Sequence, residues 1–347
     1  MRFRIRATGL TVLALLAVYG GSAQALTFNL TFAAGTPVAA QNGFTAAAAL
    51  WSNTFNDNVT IRLDVGTANL GGSGILGFAS SNYEVESYTS VRSALIADAF
   101  TADDVTANAS LGAGATFQAL TNRFSDNPNG AGSLTTWNAT LQFLAVTSAN
   151  TKALGIFSGN ATDFDGQIRF NTNYAFDYDR SNGISAGQFD FIGIAAHEIG
   201  HSLGFTSGVD YVDDPATSGD TSTQFAWVET LDLFRYSAVG QRNLAAGTGA
   251  KYFSINGGTT NSSLLFATGQ SFGDGDQASH WKDNLSLGIM DPTAAPQQLL
   301  AITANDNRAL DVIGWNYAPV PEPASMVVLG GALASIAAMR RRRKASK

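Results

Sequence analysis

Residues 190–204, DFIGIAAHEIGHSLG, constrain this chain more than any other segment. The apolar residues Ile192, Ala196, Ile199 and Leu203 recur at the spacing of one helix face, and Gly204 supplies the stop. Three ionisable side chains, His197, Glu198 and His201, interrupt that apolar run. Polar groups on so apolar a helix need a reason, because burying them without partners is costly. Residues four apart lie over one another on a helix, so His197 and His201 can grip one ion from adjacent turns. Glu198 is rotated by about 100° from His197, which sets its carboxylate beside the ion rather than on it. The segment reads as two metal ligands and a base carried on one buried helix.

Histidine is scarce elsewhere: the chain has three in 347 residues, and the third is His280 in Ala278-Ser279-His280-Trp281. Met290 follows, the one methionine outside the two apolar ends of the chain. The H-E-x-x-H pattern is that of a zinc hydrolase, and catalytic zinc takes three protein ligands and a water. The common extension H-E-x-x-H-x-x-G-x-x-H would put the third histidine at position 207, where this chain has Ser207, a poor ligand while neutral. Four candidates stand for the third ligand: His280, Asp210, Glu229 and Ser207. Glu229 would suit a thermolysin-like site, but Gly204 would then lack a role. Ligand preference favours His280.

The two ends are set apart before the fold is read. Residues 1–25 have a basic start at Arg2, Arg4 and Arg6, an apolar run and an Ala23-Gln24-Ala25 cleavage pattern, as in a secretory signal peptide. Residues 320–347 carry Val320-Pro321-Glu322-Pro323, an apolar stretch and the cluster Arg340 to Lys344. That tail resembles the PEP-CTERM sorting signal of Gram-negative bacteria. The resemblance implies transient anchoring in the inner membrane, with the basic cluster on the cytoplasmic side. It also implies a membrane sorting enzyme as partner, removal of the tail, and release to the cell surface or beyond.

The body, residues 26–319, is the expected catalytic domain. Of 20 basic residues nine belong to the ends, leaving 11; of 27 acidic residues only Glu322 does, leaving 26, so the body carries a formal charge near −15. This argues against nucleic acid as a partner, which needs a basic face. Cysteine is absent, which excludes disulfides and latency through a thiolate on the metal.

Periodicity predicts strands over 26–32, 59–65, 141–146 and Gly166–Asn171, and helices over 46–55, 88–100, 190–203 and 302–315. Thr303 or Asn305 would start the last helix and Gly314 would end it. Residues 112–117 are ambiguous, and 225–236 suit strand or helix. The fold class is α+β. An N-terminal lobe, 26–204, carries a mixed sheet and the histidine helix. A C-terminal lobe, 205–319, is mostly irregular with one late helix.

The run from His197 to Phe205, together with Ser279-His280-Trp281 and Ile289-Met290-Asp291-Pro292, resembles a leishmanolysin-type metzincin. The resemblance implies His280 as the third zinc ligand after a long insertion, and Met290 as the floor of the site. It implies that strand Gly166–Asn171 is the edge strand pairing with an extended substrate. The chain departs from that family in lacking disulfides and in having Pro292 where some metzincins have a tyrosine. Tyr211 and Tyr236 are candidates for stabilising an oxyanion, and nothing in the spacing selects either.

The expected function is an exported zinc endopeptidase acting on protein or peptide, with Zn2+ on His197, His201 and His280 and Glu198 as general base. Alternatives are a zinc hydrolase of a non-protein amide and a non-catalytic zinc-binding surface or matrix protein. Residues 177–183 (DYDRSNG) and Asp274-Gly275-Asp276 resemble parts of calcium loops, although Gly183 comes one place late for EF-hand spacing.

Overall fold

The computed structural model describes residues 26–72, 74–123, 135–213, 227–260 and 263–317. The expected signal peptide and sorting tail lie outside the described residues. Among those described, no helix is long and apolar enough to cross a membrane.

The chain is α+β. Its first part runs β1 (Thr27–Phe32), α1 (Val38–Ser52), β2 (Thr60–Ala68), β3 (Gly77–Ser81), β4 (Tyr83–Ser87), α2 (Tyr88–Asp98) and α3 (Ala102–Ser110). It continues through β5 (Phe117–Arg123), β6 (Thr135–Leu141), β7 (Phe143–Thr147), α4 (Ser148–Ala153) and β8 (Gly166–Asn171). Two short strands, β9 (Phe176–Asp177) and β10 (Phe189–Asp190), lead into the histidine helix α5 (Phe191–Ser202).

The principal sheet has the order β1-β2-β8-β3, with β1, β2 and β8 parallel and β3 antiparallel to β8. Strand β2 alternates as its sequence implies, burying Ile61, Leu63 and Val65 completely. Helices α1 and α5 pack together on the sheet. Phe44 of α1 meets Phe170 of β8 edge-on at 5.3 Å and Phe191 of α5 at 5.0 Å. Gly43 lets the helices approach, because a Cβ there would collide with the Phe191 ring.

The edge strand is not the expected one. Gly166–Asn171 lies between β2 and β3, and Gly77–Ser81 forms the edge. Burial explains the difference. β8 hides Gly166, Ile168, Phe170 and Asn171, as an interior strand must, while β3 is a short run of mostly small residues.

The second part holds α6 (Val209–Asp213), a 3-10 turn at Thr230–Phe234, β11 (Arg235–Ala238), β12 (Gln241–Arg242), β13 (Lys251–Phe253), β14 (Leu265–Phe266) and α7 (Ala304–Asp311). Expected to be mostly irregular, it contains an antiparallel sheet of order β12-β11-β13-β14. Its strands are two to four residues long, too short to show a period of two in sequence. Within 225–236 the described residues give neither a long strand nor an α-helix but the 3-10 turn followed by β11. The late helix starts at the Thr303 cap, and Gly314 follows its end at φ 107°.

Candidate metal centre

Helix α5 is capped at both ends, and its C-terminal cap builds part of the site. Asp190 accepts the Gly193 amide at 3.0 Å to begin the helix. At the other end the Gly204 amide donates to the His201 carbonyl and the Phe205 amide to the Gly200 carbonyl, each at 3.0 Å. This is a Schellman turn, and it needs the left-handed φ of 112° that Gly204 adopts. It also carries the Phe205 carbonyl back to the His201 ring, where it accepts from Nδ1 at 2.8 Å.

His280 joins the other two across 79 residues of chain. The Nε2 atoms of His197 and His201 are 3.0 Å apart, and each lies 3.2 Å from Nε2 of His280. Among the described residues these three side chains alone group as metal ligands. His280 is 7 % exposed and Trp281 is fully buried, so this is no surface histidine. Trp281 packs on Phe205 at 4.9 Å and stacks on Phe266 at 5.0 Å.

The hydrogen bonding of the rings tests whether a cation fits. Each Nδ1 faces a backbone carbonyl: Ile289 for His197 at 2.7 Å, Phe205 for His201 at 2.8 Å, Gln277 for His280 at 3.0 Å. A carbonyl can only accept, so each Nδ1 carries the proton and each Nε2 presents a lone pair. Three lone pairs converge with no proton among them. Unsatisfied buried acceptors cost on the order of 1–3 kcal/mol each, and a cation removes that cost. Ligands held tetrahedrally at about 2.0–2.1 Å from zinc stand roughly 3.3 Å apart, close to the spacing found. Burial pushes all three imidazoles down, His280 to about 3, which keeps them neutral as ligation requires.

Glu198 is buried beside the cluster. Burial raises its carboxyl to about 8, opposed by the Ala79 amide of β3. A cation on the histidines lowers it again, since opposite charge favours the carboxylate. Strand β3 passes so close that a Cβ on Gly77 would stand 3.3 Å from Glu198 Oε1. Met290 is fully buried beneath the helix, its Sδ 2.6 Å from where a Cβ on Gly200 would stand.

The other candidate ligands have different partners. Asp210 accepts from the Ala278 amide, the Ser279 amide and the Ser279 hydroxyl. Ser207 donates to Asp232 at 2.6 Å, and Glu229 accepts from Trp227 at 3.0 Å and from Thr206. Neither Tyr211 nor Tyr236 lines the cleft above the histidines; Tyr211 stacks on Trp227 at 5.6 Å. The calcium-like loops spend their carboxylates on their own structure. Asp177 accepts the Asp179 and Ser185 amides, Asp179 accepts the Ser181 amide, and Asp274 pairs with Lys282 at 2.8 Å. Neither loop assembles a group of metal ligands among the described residues.

Sequence reasoning missed three contributors: β3, Gly200 as the seat of Met290, and Asp306. Fully buried Asp306 accepts from Trp281 Nε1 at 2.9 Å, from the Ile289 amide at 2.9 Å and from the Met290 amide at 3.3 Å. It therefore ties the residue after His280 to the turn that holds His197. The Thr303-x-x-Asp306 capping box was a signal for this residue, although only for its role in starting α7.

The histidines open on a cleft of about 540 Å³, lined among others by residues 74–79 and 291–294. Comparison with protein-family models, with curated proteins and with solved structures finds no match for this chain.

Proposed function

We propose that this chain is an exported zinc endopeptidase with a metzincin-like, two-lobed arrangement. The observation that carries the reading is Glu198, held in the cleft between two histidines whose Nε2 atoms converge with that of His280. A purely structural zinc site needs no such carboxylate, and such sites usually have four protein ligands. Zinc bound there would acidify water and polarise a carbonyl. His197, His201 and His280 would hold it, each oriented by a backbone carbonyl behind the ring. Glu198 accepts the proton of the attacking water and delivers it to the leaving amine. Among the described residues no strand pairs with the outer side of β3, where an extended peptide can add as a further strand. That edge favours a peptide over a small amide.

The test pairs metal analysis with a chelator-reversible protein-hydrolysis assay. Glu198→Ala should keep stoichiometric zinc and lose activity by about 10²–10⁴-fold. Chelator-sensitive hydrolysis persisting in purified Glu198→Ala would overturn the assignment. Stoichiometric zinc without hydrolysis of any substrate would favour the binding-protein alternative.

A further inference from the structure

The cleft is charged with one sign. Among the described residues its charged lining is Glu198 and Asp291, with neither lysine nor arginine. Glu198 lies against the metal ligands, where a cation balances it. Asp291, next to Met290 in the chain, also lines the cleft, and no ion pair among the described residues involves it. Its Oδ1 is sealed from solvent and finds no hydrogen-bond partner. The charges that act on it are those of Asp306 and Asp283, both acidic. Burial pushes the Asp291 carboxyl up to about 6, eased by the Gly288 and Leu287 amides. Asp291 thus lines a cleft open to ligand with no cationic partner among the described residues.

The surroundings suit a long cationic side chain. Pro292, Ala294, Leu300 and Ile75 line the same cleft and offer apolar surface to an alkyl stem. A peptide paired with β3 presents alternate side chains to the cleft. The body's formal charge near −15 draws basic substrates toward it.

We propose that Asp291 is a specificity-determining residue that selects a lysine or arginine side chain in the peptide segment paired with β3. The inference rests on the peptidase reading, and it names that enzyme's substrate class.

Two measurements test it. The first maps cleavage sites in a mixed peptide library with the wild-type zinc protein, Asp291→Asn and Asp291→Lys. Lysine and arginine should be enriched at one fixed position from the cut bond. The ratio of kcat/KM for a peptide with lysine there to one with norleucine should fall about tenfold in Asp291→Asn. Asp291→Lys should turn the preference toward glutamate and aspartate. Wild type without basic enrichment, or Asp291→Asn with an unchanged ratio, overturns the proposal. The second measures binding of the same two fluorescent peptides to the Glu198→Ala protein by anisotropy. Tighter binding of the lysine peptide that is lost in Glu198→Ala/Asp291→Asn upholds Asp291, and equal binding overturns it. A wild type that cleaves no peptide defeats the peptidase reading, while the binding comparison still decides the role of Asp291.

Discussion

The Asp210 carboxylate accepts both the backbone amide and the hydroxyl of Ser279, the residue immediately before His280. Ser279 Oγ in turn accepts the Ser207 amide at 2.9 Å. Arg235 donates to the Ala278 carbonyl at 3.3 Å from the other side. Two residues weighed as third ligands, Asp210 and Ser207, therefore hold the loop that presents the histidine brought to the site.

Asp210→Ala strips three donors of their acceptor and frees that loop. Metal affinity should fall by about 10–100-fold, the usual effect of removing a group that orients a ligand. Competition against a chromophoric chelator measures it. Affinity equal to wild type would remove Asp210 from the support of His280.

Gly200 and Met290 should be coupled. Alanine in a helix interior normally gains about 1 kcal/mol over glycine. Here the new Cβ meets Met290 Sδ at 2.6 Å, and overpacking costs about 1–3 kcal/mol, so the sign reverses. Met290→Ala alone should cost about 2–5 kcal/mol through its cavity. In urea unfolding the double variant should lose less than the two singles together; strict additivity would contradict the contact.

Gly77 keeps β3 clear of the Glu198 carboxylate. Gly77→Val places a Cβ 3.3 Å from Glu198 Oε1 and 3.3 Å from the Phe170 ring, with two methyl groups beyond it. Hydrolysis, as kcat/KM, should drop by at least about tenfold while zinc content stays stoichiometric. Loss of the metal instead would show that β3 supports the ligands rather than the substrate.

Asp311 should make stability depend on pH. Burial raises its carboxyl to about 7, against the Thr101 hydroxyl bond and with Asp104 adding to the rise. The folded value exceeds the unfolded one, so the folded state binds the proton more tightly. The contribution is present below about pH 4 and is lost as pH rises through about 7. Asp311→Asn should remove that part. Its stability relative to wild type should climb between pH 4 and 7, as read by denaturant midpoints across that range. A flat difference would refute the shift.

The helix and its stop were legible because they depend on neighbours within four residues. The apolar stripe, the two histidines and Gly204 all lie in one short segment. The sheet edge was not legible. Gly77–Ser81 has neither length nor alternation, and which strand ends a sheet depends on what covers its flank. The C-terminal sheet escaped for the same reason, with strands as short as Gln241–Arg242. The choice among Ser207, Asp210, Glu229 and His280 rested on ligand chemistry alone, which ranks donors and cannot bring them together.

By itself the sequence determined that His197 and His201 share a helix face with Glu198 beside them, since a period of 3.6 residues admits no other arrangement. Only the tertiary structure decided the rest. Asp210 and Asp306 draw Ser279, Trp281 and the Met290 turn onto α5, and that packing sets His280 Nε2 3.2 Å from each of the others. Helical geometry is local and acts over one turn. Convergence across 79 residues depends on buried hydrogen bonds that form only when the chain has folded around them.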